Sequence, residues 1–189
     1  MAYTGGVISL ALDTSTPYLT LALRGPFGTV ASAERIERAH AELLPHGVAA
    51  LFQEAGLPLR ADRIVLGTGP GSYTGVRIGA SYALALARVW EAPLVGVSTL
   101  TALLSDEYGL QAPALDARRG QVYGALYRVT PTGTEEVQPP SRQSAEEFRA
   151  LAEERRGQLR QDVPPSGLSL LQAAATLGRP EPQLHLSYL

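Results

Sequence analysis

The sequence predicts an α/β protein with mixed sheets flanked by helices, and three observations carry that reading. About 45% of the 189 residues are apolar and 18% are charged, which suffices to bury a core and argues against a disordered or coiled-coil chain. Apolar runs and helical patterns follow one another as strand-strand-strand-helix-strand-helix-strand, an order that an all-parallel sheet does not produce. The triplet Ala-Leu-Asp closes an apolar run twice, at Ala11–Asp13 and again at Ala114–Asp116. A chain of 20.0 kDa forms one large domain or two small ones, with a soft boundary near residues 105–112.

The elements follow in order. Val7 to Leu12 is a short apolar run, and Leu19 to Leu23 resumes after the turn residues Asp13-Thr-Ser-Thr-Pro-Tyr18, so the two read as a hairpin. Phe27 to Ala33 gives a third strand after Arg24-Gly-Pro. Between His40 and Ala55, Leu43, Leu44, Gly47, Val48, Leu51 and Ala55 share a helical face, which Gly56 ends. Arg63 to Gly67 is a strand, a glycine-rich loop follows, and a second helix runs from about Gly75 to Glu91. Pro93 to Val97 is a strand, after which Ser98 caps a short helix to about Tyr108. Pro113 to Asp116 and Gln121 to Arg128 form another hairpin. Thr130-Pro-Thr-Gly-Thr and Pro139-Pro140 read as loops. Ser144-Ala-Glu-Glu147 has the spacing of a capping box and opens a helix to about Arg155, and Ser166 caps a last helix to about Gly178 before a Pro-rich tail.

Composition excludes several functions. The chain has no Cys, so disulfides, thiol catalysis and Cys-zinc sites fall away together. All 16 basic residues are Arg, which excludes Schiff-base chemistry and a Walker A lysine. His40, His46 and His185 form no metal-binding spacing, and a net charge of −2 does not suit a stand-alone nucleic-acid binder. Apolar runs break well before the length of a membrane span and the first residues lack a signal-peptide pattern, so a cytoplasmic location is expected.

Two features bear on function. First, Asp13-Thr14-Ser15 and Asp116-Ala-Arg118-Arg119 open equivalent turns. Either each Asp caps its own hairpin turn, or the two loops face nucleotide phosphates, since turn N–H groups hold an anion and an Asp orients a hydrated metal. The side chains of Arg118 and Arg119 block a phosphate by their bulk or hold it by their charge, and the sequence leaves both open. Second, Gly67-Thr-Gly69-Pro-Gly71-Ser72-Tyr-Thr-Gly75 leads into a helix whose Gly75, Gly79, Ala83 and Ala87 recur every four residues, with Val76 and Ala80 beside them. A loop of this kind at a helix start is a weak anion-site signal. A row of small residues lets another element approach closely. It packs on the protein's own sheet or meets a partner helix; the apolar circumference favours a partner.

Leu10-Ala-Leu-Asp-Thr-Ser-Thr16, His40-Ala-Glu-Leu-Leu-Pro45, Gly69-Pro-Gly-Ser-Tyr-Thr-Gly-Val-Arg-Ile-Gly79, Pro93-Leu-Val-Gly-Val-Ser-Thr-Leu100 and Ala114-Leu-Asp-Ala-Arg-Arg-Gly-Gln-Val-Tyr123 resemble the TsaB family, also called YeaZ. The likeness runs from Val7 to Tyr127, and Pro180–Leu189 resembles the family's closing segment. It implies the two-lobed actin, Hsp70 and sugar-kinase fold, ribonuclease H-like in each lobe. Residues 1–108 would form the first lobe with the partner-binding helices, and 109–189 a shortened second lobe and tail.

The resemblance further implies a role in threonylcarbamoyladenosine synthesis beside the tRNA anticodon. There the related subunit TsaD is the catalyst, TsaB its activating dimerisation partner, and the ATPase TsaE joins them. A homodimer would form without TsaD, and tRNA would be met through the complex. TsaD carries a His pair, four residues apart, at positions that correspond here to Thr99 and Leu103, which are poor metal ligands. The expectation is therefore a subunit with no catalytic residue and no metal or firmly bound cofactor, ATP and metal residing on its partners. A metallopeptidase and a small-molecule kinase or ATPase of the same fold are the alternatives. Leu43, Leu44, Gly47, Leu51, Gly75, Val76, Gly79, Ala80, Ala83 and Ala87 are the expected partner face.

Overall fold

The computed structural model describes residues 6–36, 39–180 and 185–187. The first sheet contains β1 (Ser9–Asp13), β2 (Tyr18–Gly25), β3 (Gly28–Arg35), β4 (Arg63–Gly67), β5 (Leu94–Val97) and the two-residue β10 (Arg179–Pro180), in the order β10-β5-β4-β1-β2-β3. β1, β4 and β5 run parallel, while β2, β3 and β10 are antiparallel to their neighbours. The second sheet has the order β8-β7-β6-β9, from β6 (Gly109–Asp116), β7 (Gln121–Thr130), β8 (Gly133–Ser144) and β9 (Gln158–Gln161). Mixed sheets flanked by helices are what the element order predicts.

Side chains alternate across a strand, so each sheet offers two faces. On one face of the first sheet Leu10, Leu12, Leu21, Leu23, Ile64 and Leu66 pack under α1 (His40–Glu54) and α2 (Tyr73–Trp90). Phe52 of α1 meets Trp90 of α2 edge to face, ring centroids 5.8 Å apart. On the other face Ala11, Ala22, Val65, Val95 and Val97 pack under Leu170, Leu171, Ala173 and Ala174 of α4 (Gly167–Leu177). Small strand residues on this side let α4 come close; a Cβ on Gly167 would stand 2.7 Å from that of Ala22. α3 (Ala145–Glu154) covers the second sheet through Phe148 and Ala152, and Gly124 leaves room for the Phe148 ring.

Several expectations change. Residues 109–161 supply the whole second sheet, but α4, assigned by sequence to the second lobe, lies on the first sheet, and β10 pairs with β5. The segment after Ser98 is a 3-10 turn over Thr99–Leu103 and ends five residues earlier than the helix expected to Tyr108. Gln111 fills that gap by bonding the backbone of Ser105 and Glu107. Residues 133–144, a stretch in which Thr130-Pro-Thr-Gly-Thr and Pro139-Pro140 read as loops and no strand is expected, form the edge strand β8. An edge strand tolerates Pro139 and Pro140, because a missing N–H on the outer side costs no ladder bond; the β7–β8 register shifts beside them. Serines cap as expected: Ser144 accepts from the Glu147 N–H and Ser166 from that of Ser169. The tail residues 181–184, 188 and 189 lie outside the described residues.

Candidate functional site

The two Ala-Leu-Asp units form the same local structure. The Ser15 N–H donates to Asp13 Oδ1 at 2.7 Å, and the Arg118 N–H donates to Asp116 Oδ1 at 2.9 Å. Each carboxylate thus closes an Asx turn at the end of the first strand of a hairpin. Arg118 (φ 68°), Arg119 (φ 55°) and Gly120 (φ 72°) make the second hairpin's turn in the left-handed region.

Their surroundings differ. Asp116 is exposed, whereas Asp13 is 1% exposed. Besides the Ser15 N–H, Asp13 accepts bonds from the Ser15 hydroxyl and from the Thr99 hydroxyl. Thr99 Oγ1 also accepts from the Gly69 N–H at 3.0 Å, and the Thr99 N–H donates to the Gly69 carbonyl. One carboxylate therefore ties three loops together: 13–16, the glycine loop and the turn after β5. Burial raises the Asp13 pKa above 3.8, while the hydrogen bonds from Thr99 and Ser15 and the charge of His40 oppose that rise.

The glycines serve this packing. A Cβ on Gly67 would overlap the Asp13 carboxylate, one on Gly71 the Ser15 carbonyl, and one on Gly75 the Thr14 carbonyl. The Thr14 hydroxyl donates to the Gly75 carbonyl, and the Ser72 N–H donates to the Ser15 carbonyl. Ser72 caps α2 by accepting from the Gly75 N–H.

The row of small residues on α2 thus faces its own sheet. Gly75, Val76, Gly79, Ala80, Ala83 and Ala87 are all buried, and a Cβ on Gly79 would lie 2.6 Å from Thr14 Oγ1. On α1, Leu44 and Leu51 are buried and Leu43 packs against the same core, while a Cβ on Gly47 would meet Leu21 at 2.8 Å. Most of the expected partner face is therefore turned to the core, with Leu43 and Gly47 half-buried, while Leu44 also borders the groove between the helices. The opposite face carries a groove of about 620 Å³ between the helices, lined by Ala41, Leu44, Tyr73, Thr74, Arg77, Ile78, Ser81, Tyr82 and Ala85. Sequence reasoning missed its outward residues; Ile78, Tyr82 and Ala85, spaced four and three residues apart on α2, were the signal. The Arg77 guanidinium lies over the Tyr73 ring, 5.2 Å from its centroid.

A larger cleft of about 820 Å³ lies between the sheets. Ser15, Gly71, Ser72 and His40 line it from one side, and Asp116 and Arg118 from the other. The structure thus brings together part of the expected phosphate-facing set. Asp13, Thr14, Gly69 and Arg119 are not on its walls, and the Asp13 carboxylate is engaged inside the protein. His40 contacts the Tyr18 carbonyl through Nε2, and His46 is exposed. Thr99 and Leu103 are both buried, and four residues apart on a 3-10 turn they point in different directions. No group of three or more His, Asp or Glu close enough to hold a metal occurs among the described residues.

Two α/β units, each opening with an Asp-closed hairpin and facing one another across a cleft, define an actin-like fold. A family model described as TsaD, tRNA N6-adenosine threonylcarbamoyltransferase, matches residues 29–173. YeaZ from Pseudomonas aeruginosa superposes with a TM-score of 0.79 at 30% identity, over 97% of this chain and 100% of that one. A second Pseudomonas aeruginosa structure, described as an uncharacterised protein with similarity to peptidase YEAZ, gives 0.82 at 28% identity, over 97% and 99%. The chain belongs to the TsaB/YeaZ family within this TsaD-like group. The Bacillus subtilis tRNA threonylcarbamoyladenosine biosynthesis protein TsaB is 37% identical over 135 residues, and the Escherichia coli protein of that name is 35% identical over 125. Those matches take in 69% and 63% of this chain, but they span only 59% and 54% of the two relatives.

Proposed function

We propose that this chain is a non-catalytic subunit that binds a TsaD-type catalyst and supports its transfer of threonylcarbamoyl to tRNA adenosine beside the anticodon. The pathway follows from the relatives named TsaB. The observation that carries the docking reading is the outer face of α1 and α2. Tyr73 is 59% exposed there beside the half-buried Ile78 and Tyr82, while the small-residue face is already used on the sheet. Aromatic groups in an open groove offer large apolar area with few rotatable bonds, the composition favoured at interfaces.

The internal engagement of Asp13 supports the non-catalytic role, since a carboxylate that accepts three protein hydrogen bonds is poorly placed to bind a metal-nucleotide as well. ATP and metal belong to the partners in this reading, namely the catalyst and a TsaE-type ATPase, and tRNA is met through the complex in the cytoplasm. Without the catalyst the same groove pairs two copies of this chain. Sedimentation of the chain mixed with its TsaD-type partner tests the proposal. A heterodimer is expected, and Ala85→Arg, at an exposed position on the groove wall, should weaken it at least about tenfold by placing bulk and charge there. Unchanged pairing by a folded Ala85→Arg chain would overturn the assignment of the face.

A further inference from the structure

The two helices beside the outer groove run side by side in the same direction. Ala41 at the start of α1 lines the groove together with Tyr73 and Thr74 at the start of α2. Phe52 near the end of α1 meets Trp90 at the end of α2. Positions along the two axes therefore correspond, Ala41 with the first turn of α2 and Phe52 with its last.

The helices differ in the sign of their exposed charges. Within α1 these are Glu42 and Glu54; within α2 they are Arg77 and Arg88. The glutamates stand twelve residues apart and the arginines eleven, about 18 Å and 16 Å along the axes at a helical rise of about 1.5 Å. Glu42 thus lies at the level of Arg77, and Glu54 at that of Arg88. The Arg77 guanidinium donates to the Tyr73 hydroxyl at 3.0 Å, which holds it against the Tyr73 ring. Two more titratable groups are exposed on these elements: His46, whose Nδ1 contacts the Glu42 carbonyl, and Glu91, just past the end of α2.

On the reading of the outer groove as the docking face, we propose that it takes a second copy of this chain in one orientation, each α1 lying along the α2 of the other copy and pointing the same way. A two-fold axis in the plane of such an interface runs either along the helices or across them. Along them, each Glu42 meets Arg77 of the second copy and each Glu54 meets its Arg88, so opposite charges face each other around the apolar groove. Across them, α1 lies antiparallel on α1 and α2 on α2. Glu42 then meets Glu54, and Arg77 meets Arg88. Charges at an interface rim select orientation more than they add affinity, because like charges brought together are penalised. The pattern on α1 and α2 admits the first arrangement and opposes the second.

Sedimentation equilibrium of the full chain at low ionic strength tests this with two double variants, Arg77→Glu with Arg88→Glu and Glu42→Arg with Glu54→Arg. Each makes both helices of one chain alike in sign. Each variant alone should therefore self-associate at least about tenfold more weakly than the wild type, while its melting curve shows a folded chain. The two variants mixed in equal amounts should pair again, and a chain carrying all four reversals should self-associate like the wild type. In the crossed arrangement like still meets like in either variant, so undiminished self-association of both folded variants would overturn the orientation. The groove itself would stand if Ala85→Arg weakened association in the same assay. A wild type that stays monomeric at millimolar concentration would overturn the pairing of copies, whereas docking of the catalyst is judged by its own heterodimer.

Discussion

The carboxylate of Asp13 is held by the hydroxyl of Thr99, 86 residues further along the chain, and through Thr99 it reaches the Gly69 N–H. This contact distinguishes the first Ala-Leu-Asp unit from the second, whose Asp116 is exposed. Thr99→Val removes the donor but keeps the shape, leaving a buried carboxylate short of one bond. Such a loss costs about 1–3 kcal/mol. Urea denaturation of the variant should show a destabilisation of that order. A change near zero would mean that the contact contributes nothing to the fold.

Asp13 also predicts a pH dependence. Its pKa is raised in the fold above 3.8, chiefly by burial. The folded state therefore holds the proton more tightly than the unfolded chain does, and the stability that this group contributes is fully present below about pH 3.8. It is lost as pH rises through the raised value. The stability of the wild type relative to Asp13→Asn should accordingly fall as pH increases across this window, measured by denaturant titration of both proteins at each pH. A gap that widens with pH would contradict the burial-dominated shift.

Gly79 predicts a folding defect rather than a binding defect. Its Cβ position lies 2.6 Å from Thr14 Oγ1 and 3.4 Å from side-chain atoms of Leu12 and Leu66. Gly79→Ala should destabilise by about 1–3 kcal/mol through overpacking, despite the better helix propensity of Ala, and Gly79→Leu by more. Thermal melting reads this directly. Variants that melt like the wild type would show that α2 has room to move off the sheet.

Leu170 tests how the halves depend on each other. It is fully buried on α4 against Ala11, Ala22 and Val65 of the first sheet. Leu170→Ala should cost about 2–5 kcal/mol, and a chain cut after residue 108 should fail to fold, because one face of its sheet loses its cover. A cooperative melt from that fragment would show that the first sheet does not need α4.

Much of this architecture is legible in the sequence because the signals are local. β1, β2, β4 and β5 are apolar runs between turn residues, and the serine caps of α3 and α4 stand at the expected spacing. β8 is hidden because an edge strand facing solvent needs neither an apolar run nor every N–H, so Thr-Glu-Glu-Val-Gln-Pro-Pro carries no strand signal. The direction of the α2 glycine row is hidden for another reason. Four-residue spacing of Gly and Ala shows that something approaches closely, but it does not distinguish the chain's own sheet from a foreign helix. Likewise the two Ala-Leu-Asp triplets are identical, and the buried one meets Thr99 on a distant turn, a contact that no local pattern announces.

The central claim is that this chain acts by docking a catalyst through the outer groove of α1 and α2. Reconstituted threonylcarbamoyl transfer to tRNA, with a TsaD-type catalyst, its ATPase and the threonylcarbamoyl-adenylate donor, tests it most directly. Product should form only when this chain is added, should fall at least about tenfold with Ala85→Arg at sub-saturating concentration, and should return when that variant is raised in proportion to its weakened binding. Full turnover by the catalyst without this chain, or undiminished turnover with a folded Ala85→Arg chain, would contradict the account.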